Sequence, residues 1–329
     1  MAKNNNLHTA KTAKNDEFYT MLTDIEKEMR YYKDFFKGKV VYCNCDDARE
    51  SNFFKYFSLN FEFLGLKKLI STGYKADGKG VVLVYEGDKN GNRRVDNEEI
   101  IVNELNGDGD FRSDECIEYL KQADVVVTNP PFSLFRQYVK QLMDYGKKFI
   151  IIGNQNAIIC KEIFPYIKNN QLWLGMSMNG SNRWFVAPDS YEVKENAAGY
   201  KLDEKGRKMF FVNGVTWFTN IENKRRNEKL DLYKRYSFED YPKYENFDAI
   251  YVNRVDEIPI DYDGVMGVPI TFLYKYNPKQ FEILDLINRY MIFDYFGVNE
   301  EVRKKHSHCA NVNGKSTYAR ILIKKIQQG

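Results

Sequence analysis

The sequence predicts an α/β fold built on a parallel sheet. Short runs nearly continuous in valine and isoleucine alternate with amphipathic helical stretches through the first half of the chain. A strand that is apolar along its whole length is buried on both faces, as parallel strands are when helices cover the sheet. From Asp24 to Phe36 the residues Ile25, Met29, Tyr32, Phe35 and Phe36 recur at helical spacing, and Gly38 ends the run. Val40-Val41-Tyr42-Cys43 reads as a short buried strand. Ser51 to Phe63 is helical with phenylalanines on one side, and Lys67 to Thr72 is the next strand. Val81 to Tyr85 is another, followed by an acidic, turn-rich insert to Glu99 and by Ile100-Ile101-Val102. Ser113 and Asp114 can cap a helix that runs to Gln122. The strand Ala123 to Thr128, a helix from Leu134 to Tyr145 and the strand Lys148 to Gly153 complete the series. Past Glu222 the alternation is lost and Tyr, Lys, Arg and Asn dominate, which predicts a second region with a binding role.

The chain has 329 residues, 43% hydrophobic and 15% aromatic, enough to bury a large core. Its formal charge is only +3, but the last 29 residues carry Arg303, Lys304, Lys305, Lys315, Arg320, Lys324 and Lys325 against Glu301 alone. A basic end on a nearly neutral protein fits a polyanionic partner, although single charge runs are more often solvated helix faces. Five cysteines without framework spacing imply a reducing compartment. No apolar segment approaches the length of a membrane span and the start has no apolar leader, so a cytoplasmic protein is expected.

Ligands of open α/β sheets bind at the carboxyl ends of the strands, and the candidate motifs fall there. Asn129-Pro130-Pro131-Phe132 directly follows the strand Val125 to Thr128. The prolines fix the backbone and remove two N–H donors, so the Asn129 amide and the backbone carbonyls beside it can face a pocket. Phe132 adds a flat face. Such a set suits a planar ring with an exocyclic amine, which donates two hydrogen bonds and stacks. Asn-Pro is also an ordinary turn dipeptide, but the strand before it and the helix after it favour the site. After the first strand, Asn44-Cys45-Asp46-Asp47 offers small and acidic residues in place of the usual Gly-x-Gly. Phe18-Tyr19-Thr20 lies upstream, and Asp110-Phe111 sits in a glycine-rich turn.

Asn-Pro-Pro-Phe resembles the signature of amino-methyltransferases that use S-adenosylmethionine. Together with Asn15 to Thr20, Tyr42 to Asp47, Gly107 to Ser113, Thr128 to Ser133, Ile152 to Ala157 and Tyr262 to Pro269, it makes most of the chain closely similar to adenine-N6 DNA methyltransferases of the EcoRI type. The resemblance implies a Rossmann-like, S-adenosylmethionine-dependent methyltransferase sheet over residues 16–221, a carboxyl-terminal target-recognition region over 222–329, and a basic arm over 1–15. It implies catalysis at Asn129, Pro130, Pro131 and Phe132. Phe18, Tyr19, Thr20 and Asn44 would line the cofactor pocket beside Asn129, Asp46 or Asp47 would take the polar groups of the cofactor, and Asp110 with Phe111 would hold its adenine. The second strand ends at Ser71-Thr72 without the ribose-binding acid common in this fold. The basic residues Lys224, Arg225, Arg226, Arg303, Lys304 and Lys305 are candidates for contact with double-stranded DNA, and a cognate restriction endonuclease acting on the same site is a possible partner. Trp184, Phe185 and Trp217 are candidates for the second face of a flipped base, though aromatics in such patterns are more often core. Asn-Pro-Pro-aromatic also occurs in enzymes that methylate RNA or a protein amide, and an inactive DNA-binding relative is a further alternative.

Other patterns are set aside. Gly314-Lys315-Ser316 resembles the end of a phosphate loop, but Cys309 stands where the first glycine is needed. Asp88 to Glu99 resembles a calcium loop with Arg93 at the required glycine. His306, His308 and Cys309 are too few for a zinc site without partners elsewhere.

Overall fold

Val-Val-Tyr-Cys forms β1 (Val40–Cys43) and Val-Val-Val-Thr forms β5 (Val125–Thr128), both buried at every position. They pair in parallel, Val41 against Val125 and Tyr42 against Val126, at the centre of a large sheet. The computed structural model describes residues 19–45, 47–75, 78–187, 199–245, 247–287 and 310–327. Among them the sheet has nine strands, adding β2 (Lys68–Gly73), β3 (Val81–Tyr85), β4 (Ile100–Glu104), β6 (Lys148–Asn154), β7 (Trp173–Val186), β8 (Tyr200–Leu202) and β9 (Lys208–Thr219). Their order is β4-β3-β2-β1-β5-β6-β9-β7, with β8 on β9.

Only the middle of this sheet is parallel: β2, β1, β5 and β6 run together, while β3, β4 and β9 are antiparallel to their neighbours. The expected parallel sheet is thus confined to these four strands, with antiparallel strands added on both sides. The link from Gly73 to Val81 is too short for a crossover helix, and a short link can only turn the chain back on itself. On β4 the side chains of Ile101 and Val102 are exposed rather than buried. The long strands β7 and β9 were not anticipated, because their burial is interrupted by polar and glycine positions.

The helices α1 (Leu22–Met29), α2 (Asn52–Leu59), α3 (Phe61–Leu64), α4 (Asp114–Gln122) and α5 (Phe135–Asp144) cover the sheet. The first expected helix is shorter than its periodicity suggested and gives way to a 3-10 turn at Lys33–Phe36. The second breaks at Asn60, between α2 and α3. Ser51 caps α2 by accepting from the Phe53 N–H at 3.2 Å, and Ser113 caps α4 by accepting from the Cys116 N–H at 3.3 Å. Phe36 and Phe57 meet edge to face, their centroids 5.1 Å apart, in a core that also holds Val41, Val125, Ile150 and Trp217.

Contacts divide the chain into two compact units, Met1–Gln155 with Gly175–Ile221 and Asn156–Leu174 with Glu222–Gly329. The second unit includes α6 (Phe164–Lys168) and a four-stranded sheet of β10 (Ile250–Tyr251), β11 (Met266–Pro269), β12 (Phe281–Ile287) and β15 (Arg320–Lys325) in the order β10-β11-β15-β12. A hairpin of β13 (Asn311–Val312) and β14 (Lys315–Ser316) turns through Asn313 and Gly314, both at positive φ. Asn-Gly is the favoured pair for such a turn, so the segment that resembled a phosphate loop is a hairpin. Among the described residues no helix is long and apolar enough to cross a membrane.

One buried carboxylate ties the first helix to the sheet. Glu28 on α1 accepts from the Met176 N–H at 2.7 Å, the Ser177 N–H at 2.6 Å, the Ser177 hydroxyl at 2.6 Å and the Tyr32 hydroxyl at 3.0 Å. Burial outweighs these donors and holds its carboxyl above the usual range. Such a group contributes fully below its unfolded pKa and loses that contribution as pH rises through the folded value. Replacing Glu28 with Ala leaves the donors stranded, and a loss of about 2–4 kcal/mol is expected. Urea denaturation measures it, and an unchanged midpoint would show that water takes over the role of the Glu28 carboxylate.

Candidate active site

The strand order reverses at β1: β2 lies on one side of it and β5 on the other. The carboxyl ends of β1 and β5 at this switch point are the usual ligand position in such sheets. Asn44 and Cys45 leave β1 there, and Asn129 leaves β5. The two ends are fastened together, since the Thr128 hydroxyl donates to the Asn44 carbonyl. Asn129 follows that bond by one residue and is 5% exposed.

Asn44 is held a second time, by the Tyr138 hydroxyl donating to its side-chain oxygen. Tyr138 belongs to α5, the helix that starts directly after the Asn-Pro-Pro-Phe turn. The carbonyls of Pro131 and Phe132 accept from Leu134 and Phe135 at 2.9 and 3.5 Å, so these two are spent on starting α5. Phe132 is half-buried and packs against the main core. Burial pushes the hydroxyls of Tyr138 and Tyr42 well above the ordinary phenol range, which keeps both protonated. Tyr42 shares a hydrogen bond of 2.7 Å with Thr72 at the end of β2.

The other expected cofactor residues have the following surroundings. Tyr19 pairs with Val186, its N–H 2.8 Å from the Val186 carbonyl. The Thr20 carbonyl accepts from the Asn52 amide at 2.7 Å, which sets Thr20 at the start of α2. Thr20 is 1% exposed, and its hydroxyl oxygen is buried without a hydrogen-bond partner among the described residues. Asp47 is exposed and organises the loop, its carboxylate accepting from the Arg49 N–H at 2.9 Å. Phe111 packs edge to face on Tyr138 at 4.9 Å, and its carbonyl accepts from Gln141 at 3.0 Å. The Asp110 carboxylate is engaged by the Arg112 guanidinium at 2.5 and 2.8 Å, so a ligand amine must share it. Phe18 and Asp46 lie outside the described residues.

The sequence alone does not mark Tyr138 and Gln141, nor the partner of the Thr128 hydroxyl. Helical periodicity marks Tyr138 only as a core aromatic, and Gln141, three residues on, carries no signal of its own. Of the aromatics considered for the second stacking face, Phe185 and Trp217 are buried core residues. Trp184 is half-buried, with Phe211 at 5.1 Å and the Lys201 ammonium 4.3 Å from its centroid.

A family model described as adenine-specific methyltransferase EcoRI matches residues 6–326. The chain belongs to this family. It is 46% identical to the type II methyltransferase M.EcoRI of Escherichia coli, over 98% of this chain and 97% of that protein. The type II methyltransferase M.MpnI of Mycoplasma pneumoniae is 41% identical, over 97% of each chain, and M.MgeORF184P of Mycoplasma genitalium is 40% identical, over 97% of this chain and 98% of that protein. The protein is thus an enzyme, an adenine-specific DNA methyltransferase with a Rossmann-like sheet. These matches do not favour an RNA or protein substrate or an inactive relative.

In the second unit of this methyltransferase the basic candidates divide. Lys224 is exposed on a 3-10 turn at Lys224–Asn227. Arg225 lines a cleft of about 210 Å³ with Glu228, Lys229, Leu230, Asp231 and Lys275. Arg226 instead turns inward, its guanidinium 3.7 Å from the centroid of Trp173 and 3.4 Å from the Asn170 side-chain oxygen. Arg303, Lys304 and Lys305 lie outside the described residues, as do His306, His308 and Cys309. In the insert, the Asp88 carboxylate accepts from the Gly91 and Arg93 N–H groups at 2.6 Å and Glu99 accepts from the Lys89 N–H at 2.8 Å, so these acids organise the loop itself.

The turn that carries Asp110 and Phe111 depends on Gly109. Its φ is +85°, and a Cβ there would lie 2.3 Å from the Gly73 carbonyl oxygen at the end of β2. Gly109→Ala is expected to cost about 2 kcal/mol or more, from the strained backbone and the clash. Chemical denaturation reads the loss, and a wild-type midpoint would mean that the turn shifts without cost.

Proposed function

We propose that the enzyme transfers a methyl group from S-adenosylmethionine to N6 of an adenine turned out of double-stranded DNA. The observation that carries the reading is the fastening of the loop after β1 to the strand that ends in Asn129-Pro130-Pro131-Phe132. One loop is suited to a donor, the other to an acceptor, and the Thr128 to Asn44 bond keeps them adjacent.

The residues fit the cofactor. The buried Thr20 hydroxyl has no hydrogen-bond partner among the described residues, the turn at Cys45 keeps a left-handed backbone after β1, and the buried Phe111 ring lies on Tyr138, which holds Asn44. Tyr19, Thr20, Asn44, Asp47, Asp110 and Phe111 would hold it, with Phe18 and Asp46 beside them. Bound there, S-adenosylmethionine supplies an electrophilic methyl group on a positively charged sulfur.

Adenine N6 is a weak nucleophile because its lone pair is delocalised into the ring. The Asn129 side-chain oxygen and the Pro130 carbonyl accept its two N–H groups, favour a more tetrahedral nitrogen and point the lone pair at the methyl. No covalent bond between the enzyme and the base is required. Turning the base out of the duplex costs a few kcal/mol, offset by about 1–3 kcal/mol of stacking on Phe132. Trp184 is the candidate for the opposite face.

The second unit supplies target recognition, with Lys224, Arg225, Arg303, Lys304 and Lys305 on phosphates and Arg226 supporting them from within. A cytoplasmic enzyme paired with an endonuclease of the same site agrees with the type II class of its relatives.

Asn129→Ala should abolish methyl transfer to DNA while S-adenosylmethionine binding, measured by calorimetry, stays close to wild type. Loss of cofactor binding in this variant would overturn the division of roles, and radiolabel in RNA or protein but not in DNA would overturn the substrate. Neutralising Arg303, Lys304 and Lys305 together should weaken DNA binding and flatten the slope of log affinity against log salt, by about 0.9 for each phosphate that is no longer neutralised. A titration across salt concentrations that returns the wild-type slope removes this cluster from the DNA interface.

A further inference from the structure

Cys45 occupies the place where the loop after the first strand ordinarily carries glycine. Its φ is +68°, so the chain keeps the left-handed turn that glycine adopts freely while bearing a side chain that disfavours it. Something must hold that conformation. Cys45 is 6% exposed, and Asn44 beside it is 4% exposed, so water does not do so. Two protein groups grip the segment from above: the Thr128 hydroxyl on the Asn44 carbonyl, and the Tyr138 hydroxyl on the Asn44 side-chain oxygen. Tyr138 also lies against the Cys45 thiol, and its ring meets Phe111 edge to face. One side chain therefore touches the loop after β1 and the aromatic expected to cover adenine, and it stands on the helix that begins at the target motif.

We propose that Tyr138 is a positioning residue for the cofactor: its hydroxyl holds the loop after β1 in a glycine-like turn that Cys45 would otherwise leave. The inference rests on the reading that this loop binds S-adenosylmethionine. A merely structural tyrosine predicts a loss of stability that is the same whatever stands at position 45. A positioning tyrosine predicts a loss of cofactor affinity that disappears once glycine removes the need for restraint.

The test is a cycle of Tyr138→Phe, Cys45→Gly and the double variant, with S-adenosylmethionine affinity measured by calorimetry and folding checked by thermal unfolding. Tyr138→Phe keeps the ring on Phe111 and removes only the hydroxyl. It should weaken binding about five- to tenfold, the scale of one net hydrogen bond, and raise KM for the cofactor by more than it changes kcat. In the Cys45→Gly background the same substitution should cost less than about twofold, because the turn no longer depends on the bond. Hydrogen exchange of the Asn44 and Cys45 amides should speed up in Tyr138→Phe and not in the double variant relative to Cys45→Gly. Should Tyr138→Phe be unstable, the cycle is read at a temperature well below its unfolding midpoint, which keeps the comparison between the two backgrounds. Wild-type affinity in the substituted protein, or an equal loss in both backgrounds, overturns the proposal. If the wild-type enzyme itself binds no S-adenosylmethionine, the cofactor reading fails and this inference falls with it.

Discussion

The pairing of β1 with β5 is the constraint on which the site depends. These strands are far apart in sequence, Thr128 lying 84 residues beyond Asn44, yet they run side by side and end together. The runs Val-Val-Tyr-Cys and Val-Val-Val-Thr make them stable only at the sheet centre, covered on two faces. Each strand then delivers its own polar turn to the same end of the sheet. The bond from Thr128 to Asn44 converts that neighbourhood into a fixed geometry, and α5, begun by the carbonyls of Pro131 and Phe132, returns Tyr138 to the same place. A reaction between a donor and an acceptor gains most when both are held in register before they react.

Much of this was legible in the sequence, because the strands that matter are also the most apolar. β1, β5 and the helix from Phe135 were visible as uninterrupted or periodic runs, and the tetrapeptide at Asn129 stood out against them. What escaped were features set by partners distant in sequence. The antiparallel edge at β3 and β4 follows from a link length rather than from composition, and β7 with β9 is long but irregular in burial. Tyr138 looked like any core aromatic because periodicity reports which face is buried, not which polar atom a hydroxyl meets. Cys45 was readable as a departure from glycine; that its backbone nevertheless keeps the left-handed turn required coordinates.

The second unit shows the same limit for charge. A run of Lys224, Arg225 and Arg226 reads as a single basic patch, but neighbours in a tight turn point in different directions. Arg226 is drawn onto Trp173, where a planar guanidinium over an indole is favourable, and Lys224 stays in water. Arg320 behaves like Arg226: it is 8% exposed and donates to the Tyr251 hydroxyl at 2.7 Å. Lys325 is paired with Asp263 at 3.3 Å. The basic tail is therefore not one uniform surface, and charge counting alone overstates how many phosphates it can hold.

The most direct test is a crystal structure of the enzyme with sinefungin, an analogue of S-adenosylmethionine that cannot give up a methyl group. Density for the analogue beyond the carboxyl ends of β1 and β5, touching Thr20, the Asn44-Cys45 turn and Phe111, with its reactive end toward Asn129, is the expected result. Density on another part of the sheet, or with the reactive end turned away from Asn129, would contradict the assignment of the two loops to donor and acceptor.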